Sequence, residues 1–376
     1  MTLKPSYDVV IIGCGIAGAS LAYFLADSGL TDILILEKEE QPGYHATGRS
    51  AGVLMEFDLV PTTLHLTQHG GRFLRNPPPG FSENPILNQS GILLMFQGEL
   101  WDLARGMVPE LNRGGTRTVE LSPQEVAARI PVVLDRGFDG ALLLPEGGHL
   151  DVHELLWSYL RQARRSGTQI KCGEEVRAVT MKNGRAAGVV TDRGEYSARW
   201  VVDAAGAWAG RVRELVGPSP AVIQPYLRTV ITFAAPEGLD VKKWPFCANM
   251  THPLYFSPES SGLLASPMDQ DPVEPGDARP DELGVAITIE RLKEVAPTLV
   301  PKALQRKWAG LRTFAPDQAM VVGEDPEIKG FFWLAGQGGS GIESSPAVGR
   351  LAADLILKGQ TGLMDPRPMS PARFTG

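Results

Sequence analysis

Hydrophobic and polar positions at the start of the chain form three blocks that predict one β-α-β unit. Residues 9–12 are four consecutive β-branched residues, as in a strand that is buried on both faces. Residues 16–28 have the apolar spacing of a helix that ends before Gly29, and residues 33–36 are a second apolar run. The pattern therefore predicts a strand, a helix and a parallel strand, the opening of an α/β domain.

The rest of the chain predicts a mixture of helices and strands. Ser122, Pro123 and Glu125 form the capping-box start of one helix, and Asp151 caps another. Between residues 218 and 309 the β-α-β rhythm is absent, and short apolar runs favour an antiparallel sheet. The predicted helices cover residues 60–75, 123–130, 152–166, 208–216, 301–308 and 342–358. The predicted strands cover residues 91–96, 140–144, 173–178, 185–191, 195–198, 199–203, 227–233, 254–257, 263–266, 284–289 and 331–334.

This order of elements predicts an α/β fold with two domains, because the last strand and helix repeat the arrangement at the start of the chain. We expect a discontinuous, dinucleotide-binding first domain from residues 1–80, 146–217 and 318–376. The second domain, with an antiparallel β-sheet of the α+β type, is expected from residues 81–145 and 218–317.

Composition and charge exclude several function classes. The formal net charge of −7 argues against a nucleic-acid partner. Cys14, Cys172 and Cys247 are scattered without ligand spacing, so the sequence predicts no metal site and no disulfide framework. Residues 9–26 carry no charge, but their glycines and the strand that follows indicate a soluble β-α unit rather than a transmembrane segment. We therefore expect a cytoplasmic protein.

A glycine motif within the first unit indicates dinucleotide binding. Gly13, Gly15 and Gly18 have the G-x-G-x-x-G spacing between a strand and a helix, where the tight turn exposes backbone N–H groups to a pyrophosphate. Glu37 ends the second strand 24 positions after Gly13, near the distance at which an acid binds a ribose hydroxyl pair. The motif alone is a weak signal, and its strength comes from the surrounding elements.

A second glycine-rich turn, at residues 336–341, precedes the last helix and favours a flavin over a nicotinamide cofactor. A nicotinamide dehydrogenase needs only the first turn. Reduction of a flavin places negative charge on its pyrimidine ring, and the N-terminus of a helix beginning near Ile342 is a suitable counter-pole.

Several motifs resemble the D-amino-acid-oxidase (DAO) superfamily of FAD-dependent oxidoreductases: GCGIAG with Glu37, TGRSAG, VVDAAGAW, WAGLRTF and FFWLAGQGGSGI. Within it the chain is most similar to bacterial D-arginine dehydrogenase, notably in EKEEQPGYHATGRSAG and NPPPGFSENPIL. The resemblance implies a glutathione-reductase-type Rossmann domain beside a substrate domain. It also implies hydride transfer from an amino-acid Cα to flavin N5, giving an imino acid and then a 2-oxo acid and ammonia. No cysteine follows Cys247, so FAD is expected to be non-covalent.

The resemblance also assigns residues. Arg312 matches the arginine that binds the substrate carboxylate, Arg228 a second pocket arginine, and Tyr255 a tyrosine that assists them; these three are the expected catalytic residues. The expected substrate pocket contains Val53, Met55, Asp58, Ile92, Gly339 and Ser340. The expected cofactor-binding residues are Gly13, Gly15, Ile16, Ala17, Gly18, Glu37, Lys38, His45, Thr47, Gly48, Arg49, Ser50, Ala51, Gly52, Val176, Ala204, Ala205, Gly206, Trp208, Gly336, Gly338, Gly339, Ser340, Gly341 and Ile342.

Departures from the D-arginine dehydrogenase pattern bear on specificity. Ile92 stands where that enzyme has the glutamate that binds the substrate guanidinium, so D-arginine would lose its charge partner and is expected to be a poor substrate. Val53, Met55 and Asp58 stand where its active-site lid has a histidine, a threonine and a tyrosine. Val53, Met55 and Ile92 indicate a more apolar pocket, suited to a neutral or hydrophobic D-amino acid, or to a cyclic or N-substituted one. Asp58 and Glu56 either face solvent or select a basic group.

Two other functions remain open. A secondary-amine oxidase or dehydrogenase acting on sarcosine, proline or another N-alkyl glycine would use the same carboxylate-binding residues. A non-catalytic electron-transfer subunit is the third interpretation, and the joint presence of Arg312, Arg228 and Tyr255 argues against it. The sequence does not indicate whether oxygen, a quinone or another molecule is the electron acceptor.

Overall fold

The computed structural model describes residues 6–260 and 262–375. Within them the α-helices are α1 (Ile16–Asp27), α2 (Pro61–Arg75), α3 (Glu99–Arg113), α4 (Pro123–Arg129), α5 (Val152–Arg165), α6 (Ala209–Glu214), α7 (Glu282–Val295) and α8 (Gly341–Lys358). The strands are β1 (Ser6–Ile12), β2 (Ile33–Leu36), β3 (Val53–Leu54), β4 (Leu87–Asn88), β5 (Ile92–Phe96), β6 (Val119–Leu121), β7 (Gly140–Leu144), β8 (Gly148–Leu150), β9 (Gln169–Lys171), β10 (Val176–Lys182), β11 (Arg185–Thr191), β12 (Glu195–Asp203), β13 (Gln224–Phe233), β14 (Phe246–Asn249), β15 (Leu254–Glu259), β16 (Gly262–Ser266), β17 (Arg306–Phe314), β18 (Val321–Glu324) and β19 (Phe331–Ala335).

The first sheet is built around parallel strands, with the order β10-β11-β12-β1-β2-β9 and with β19 and β18 joined through β12. β1, β2, β9, β12 and β19 are mutually parallel where they pair, and β10, β11 and β18 are antiparallel additions. Helices α1, α2, α5 and α8 cover one face, and α6 packs against the other. This burial on both faces explains the continuous apolar runs in β1 and β2.

The second sheet has the order β17-β13-β16-β15-β14-β5-β7-β6 and is mostly antiparallel. One face packs against α4 and α7. The opposite face contains Arg228, Arg312, Tyr255 and Ile92, because the register places Gly310 opposite Arg228, and Ser266 opposite Tyr255. The sheet therefore brings the four predicted side chains from four strands to one surface.

The predicted α/β fold is confirmed, and so are its first β-α-β unit, its capping-box helix α4 and its C-terminal strand and helix. The second sheet takes strands from residues 92–144 and from residues 224–314. The domain boundaries themselves stay a prediction. Residues 1–5 and 376 of the predicted first domain lie outside the described residues.

The strand predicted over residues 284–289 is wrong, because these residues lie in α7. The Asp281 side chain accepts the backbone N–H of Leu283 at the start of the helix. Val285 and Leu292 share a helical face that is buried against the second sheet. This packing outweighs the weak preference of β-branched residues for strands.

The helix predicted over residues 301–308 is also wrong. β17 begins at Arg306 and pairs with β13 along nine residues, so tertiary pairing determines the conformation there. The strands predicted over 195–198 and 199–203 are one strand, β12. The sequence prediction also missed α3, whose pattern is interrupted by Gly106 and Pro109.

A buried ion pair fastens α6 to the first sheet. The guanidinium Nε of Arg213 donates to Asp325 at 2.7 Å, and both side chains are at most 1% exposed. The indole of Trp333 donates to the same carboxylate at 2.9 Å. These bonds, led by that of Arg213, outweigh burial and hold the pKa of Asp325 below its ordinary value.

We expect Arg213→Met to lower the free energy of unfolding by about 3–5 kcal/mol, because it leaves the Asp325 carboxylate buried without its cation. Arg199→Met is the control, since that side chain is exposed and a surface change is usually worth less than about 0.5 kcal/mol. Urea unfolding of the two variants and the native protein measures the difference. Equal free energies of unfolding for the two variants would contradict the stabilisation attributed to the ion pair of Arg213 and Asp325.

Candidate cofactor and substrate site

A cavity of about 400 Å³ lies where β1, β2 and β12 end and extends to the second sheet. Both glycine turns and both predicted arginines line it. Of the predicted site residues, the lining includes Gly13, Gly15, Ile16, Ala17, Glu37, Lys38, His45, Thr47, Ser50, Val176, Ala204, Ala205, Gly206, Trp208, Arg228, Arg312, Gly338, Gly339, Gly341 and Ile342.

The first glycine turn fits the close approach of a pyrophosphate. Gly13 has a φ of +105°, and a Cβ there would lie 2.5 Å from the carbonyl oxygen of Ala204. A Cβ at Gly18 would overlap the carbonyl oxygen of Gly13, so this glycine sets the packing of α1 on β1 without lining the cavity. The backbone N–H of Ile16 donates to the Thr47 hydroxyl at 3.0 Å, which ties residues 41–52 to the start of the helix.

The end of the cavity near β2 is shaped by a carboxylate and an aromatic ring. The Glu37 side chain accepts the backbone N–H groups of Cys14 at 2.8 Å and Glu39 at 3.0 Å, and these bonds fix its position at the cavity wall. The ammonium of Lys38 lies 3.4 Å from the ring centre of Trp208, and the His45 ring lies 4.5 Å from it. An acid at this position fits the ribose end of a dinucleotide.

The second glycine turn connects β19 to α8 beside Arg312. Gly338 has a φ of +54°, and its N–H donates to the carbonyl oxygen of Thr313 at 2.8 Å. A Cβ at Gly339 would lie 2.9 Å from Nη1 of Arg312. The side-chain amide nitrogen of Gln337 is buried without a hydrogen-bond partner among the described residues. The turn therefore offers the N-terminus of α8, and an unpaired donor nearby, to a bound group.

Arg228 and Arg312 form a cationic pair on the second sheet. They are diagonal neighbours on β13 and β17, since Arg228 is opposite Gly310. Burial, and next the charge of Arg312, lower the pKa of Arg228 to about 9. Its Nη1 is buried and has no hydrogen-bond partner among the described residues. An unpaired buried guanidinium nitrogen is costly, so its place in the cavity wall fits a site for an anion such as a carboxylate.

The remaining predicted residues lie outside the cavity lining. Arg49 binds Asp277 and the carbonyl oxygens of Ala278 and Ala309, so it joins its loop to the second sheet. Among the others, the glycines lie at close backbone contacts or in turns, and the apolar or aromatic side chains belong to the hydrophobic cluster on the face of the second sheet that carries Arg228 and Arg312. They are Gly18, Gly48, Gly52, Gly336, Ala51, Val53, Met55, Ile92 and Tyr255, with Asp58 and Ser340 in contact with each other.

Residues 53–58 are held against α8 by an acid that the sequence did not single out. The buried carboxyl group of Glu343 accepts the backbone N–H groups of Met55 at 2.8 Å and Glu56 at 3.0 Å. Burial raises the pKa of Glu343 to about 8. Glu56 does not face solvent, because it is buried and paired with Arg75. Asp58 accepts the Ser340 hydroxyl at 3.4 Å, and burial raises its pKa.

Two further lining residues, Glu174 and Arg211, lie outside every motif that the sequence analysis used. They reach the wall from the loop before β10 and from α6. Their places follow from long-range packing alone. In the part of the chain that the structure describes, no group of three or more His, Cys, Asp or Glu residues could hold a metal ion. Nor is any helix there long and apolar enough to cross a membrane.

Comparison with known proteins adds to this geometry. Residues 8–355 match the family described as FAD dependent oxidoreductase (DAO). The chain is 27% identical to 4-methylaminobutanoate oxidase (formaldehyde-forming) of Paenarthrobacter nicotinovorans, over 100% of this chain but only 46% of that protein's length. It is 25% identical to sarcosine oxidase subunit beta of Rhizobium meliloti, over 95% of this chain and 86% of that protein. The solved structure of L-proline dehydrogenase from P. horikoshii shares the fold, with a TM-score of 0.88, 22% identity and 99% of each chain covered.

These matches confirm FAD as the predicted cofactor. The glycine turns, the Glu37 carboxylate and the unpaired donors fit it, because they supply the close approach, the ribose acceptor and the polar partners that a flavin dinucleotide needs. The sequence analysis predicts a particular similarity to D-arginine dehydrogenase within this family. These relatives do not show that similarity.

We expect Glu343→Gln to become more stable relative to the native protein as pH rises. The carboxyl has a pKa of about 8 when folded and an ordinary value of 4.5 when unfolded, so between these pH values the native state holds a proton that the unfolded state has lost. Its stabilising effect is complete below pH 4.5 and is lost as pH rises through 8. Urea unfolding at pH 5 and pH 9 should show the variant gaining about 2–4 kcal/mol relative to the native protein. A pH-independent difference would contradict the assignment.

Proposed function

The chain belongs to the DAO family of FAD-dependent oxidoreductases, and we propose that it oxidises a secondary amine that carries a carboxylate, such as an N-methyl or cyclic amino acid. The observation that carries this proposal is the buried Nη1 of Arg228, which lies beside Arg312 in the cavity wall and has no hydrogen-bond partner in the part of the chain that the structure describes. A carboxylate is the planar anion that such a pair binds best, because each guanidinium offers parallel N–H donors.

The amine class is inferred from the relatives and from the apolar cluster on the face of the second sheet that carries the arginine pair. The two relatives named above are called oxidases of 4-methylaminobutanoate and of sarcosine, and each of these compounds has a methylated nitrogen and a carboxylate. An N-alkyl group needs apolar surroundings and no hydrogen-bond partner. Val53, Met55 and Tyr255 belong to the apolar cluster on the same side of the second sheet as the two arginines.

The side chains have defined tasks in this reaction. FAD, when bound, accepts a hydride from the carbon attached to the substrate nitrogen, and the resulting imine hydrolyses. Arg312 and Arg228 fix the carboxylate and so limit the orientations of that carbon. Their positive charges also lower the pKa of the substrate ammonium, which favours the neutral amine that the reaction requires. Tyr255 is buried on the same face of the second sheet as the pair.

Oxidative deamination of a neutral or hydrophobic D-amino acid is a second candidate, with the same arginine pair. The observation that favours it over D-arginine is Ile92, which is fully buried in the apolar cluster where a guanidinium would find no anion. A role in electron transfer alone would leave the two arginines without a purpose. Either reaction requires an electron acceptor, such as oxygen or a quinone.

The substrate class is tested by mixing the FAD-loaded protein anaerobically with an amine panel and recording the loss of flavin absorbance. We expect sarcosine, 4-methylaminobutanoate or proline to reduce the flavin faster than glycine, D-leucine, D-methionine, D-phenylalanine and D-arginine. Repeating the panel in air and with an artificial acceptor identifies an oxidase or a dehydrogenase. Faster reduction by D-leucine or D-phenylalanine would favour the second candidate, and preference for D-arginine would refute both.

The carboxylate role is tested by Arg312→Leu. We expect kcat/KM to fall by roughly 100-fold or more, since a charge-assisted bond to the substrate carboxylate is lost, while FAD content stays normal. Arg306→Leu is the matched control, because Arg306 lies on the same strand and is exposed. Unchanged turnover by Arg312→Leu would remove the basis of the proposal.

A further inference from the structure

The segment of residues 267–281, here called the strap, runs along the edge of β13, where the N–H of Leu227 donates to the carbonyl oxygen of Asp271 at 2.8 Å. Its carboxylates contact three arginines from different elements. Asp269 contacts Arg228, Glu274 pairs with Arg211 at 2.7 Å, and Asp277 pairs with Arg49. The last two pairs have an exposed carboxylate, so each contributes little to stability. The contact of Asp269 differs because both side chains are at most 8% exposed.

Asp269 binds the Nε side of the Arg228 guanidinium. The main-chain oxygen of Asp269 accepts Nε of Arg228 at 2.8 Å, and the carboxylate lies 3.7 Å from the same nitrogen. Both carboxylate oxygens also accept the backbone N–H of Thr229, at 2.8 and 3.0 Å, so the acid cannot rotate away. Nε is thus engaged, whereas Nη1 is buried and has no hydrogen-bond partner among the described residues.

The same carboxylate acts on the charge of the whole pair. Arg228 and Arg312 repel each other in a buried place, and the charge of Asp269 favours the protonated form of both. Two guanidinium cations and one carboxylate leave one net positive charge. A ligand with a single carboxylate neutralises this remaining positive charge. A second carboxylate on the ligand would have no further cation to pair with.

We propose that Asp269 is the positioning residue of the substrate-carboxylate site, and that it selects monocarboxylates over dicarboxylates by orienting Arg228 and cancelling one of the two arginine charges. This inference rests on the proposed function, because it takes the substrate carboxylate as the ligand of the arginine pair. It adds a specificity that neither arginine has alone.

The test uses two inert anions, acetate and malonate, whose dissociation constants follow from the change they cause in the absorbance of bound FAD. In the native protein malonate should bind at least about threefold more weakly than acetate, because its second charge is desolvated without a partner. Asp269→Asn keeps an acceptor for the Thr229 N–H but removes the charge. In this variant the affinity for malonate relative to that for acetate should rise by about tenfold.

Two matched variants separate charge from structure. Asp269→Glu keeps the charge and should retain the native ratio of the two constants. Asp271→Asn makes the same chemical change two residues away at an exposed side chain and should also leave the ratio unchanged. FAD content and the melting temperature are measured for each variant, so that a loss of folding is recognised.

An unchanged ratio in FAD-loaded Asp269→Asn would overturn the inference. If that variant does not retain FAD, the native protein decides, since malonate binding as tightly as acetate, or more tightly, is incompatible with a site that carries one net charge. The outcome is distinguishable from failure of the proposed function: if no amine reduces the flavin, the proposed reaction is wrong, while the binding ratios still report whether Asp269 sets the charge.

Discussion

Close backbone approaches that only glycine permits hold the two turns of the cavity in register. Gly349 of α8 packs on Ser20 of α1, where a Cβ would lie 2.8 Å from the serine hydroxyl. Gly70 of α2 packs on the carbonyl oxygen of Glu343 in the same way. Because α1 follows the first turn and α8 follows the second, the separation of these helices determines where both turns meet the cofactor. Larger residues at these contacts would move one turn away from the other.

The parts of this fold that sequence reasoning predicted are those set by local chemistry. The G-x-G-x-x-G turn, the capping box at Ser122 and the helix after residue 340 each depend on neighbouring residues, and each is present. Residues 284–289 and 301–308 were mispredicted because packing against the second sheet, and pairing of β17 with β13, outweigh local preference. Long-range pairing is not readable from one sequence, so it limits such prediction.

The candidate site shows the same division. Resemblance pointed to Arg228, Arg312 and Tyr255, and the register of the second sheet explains how they share one face. Neither Glu343 nor Asp269 carried a recognisable pattern, although both are buried and bind backbone N–H groups distant in sequence. Buried acids of this kind tune the charge and shape of a site through partners that only the folded chain brings near.

The parallel pairing of β5 with β14 has a consequence for how the chain reaches its native state. The pairing joins residues 92–95 to residues 246–249, and the intervening chain contains much of the first sheet. During synthesis β5, β6 and β7 emerge well before their partner, so the edge of β5 stays unpaired until the later strands arrive. Closing so long a loop is slow, and an apolar unpaired edge invites association with other chains. The sheet that presents the arginine pair is therefore open to misassembly while it folds.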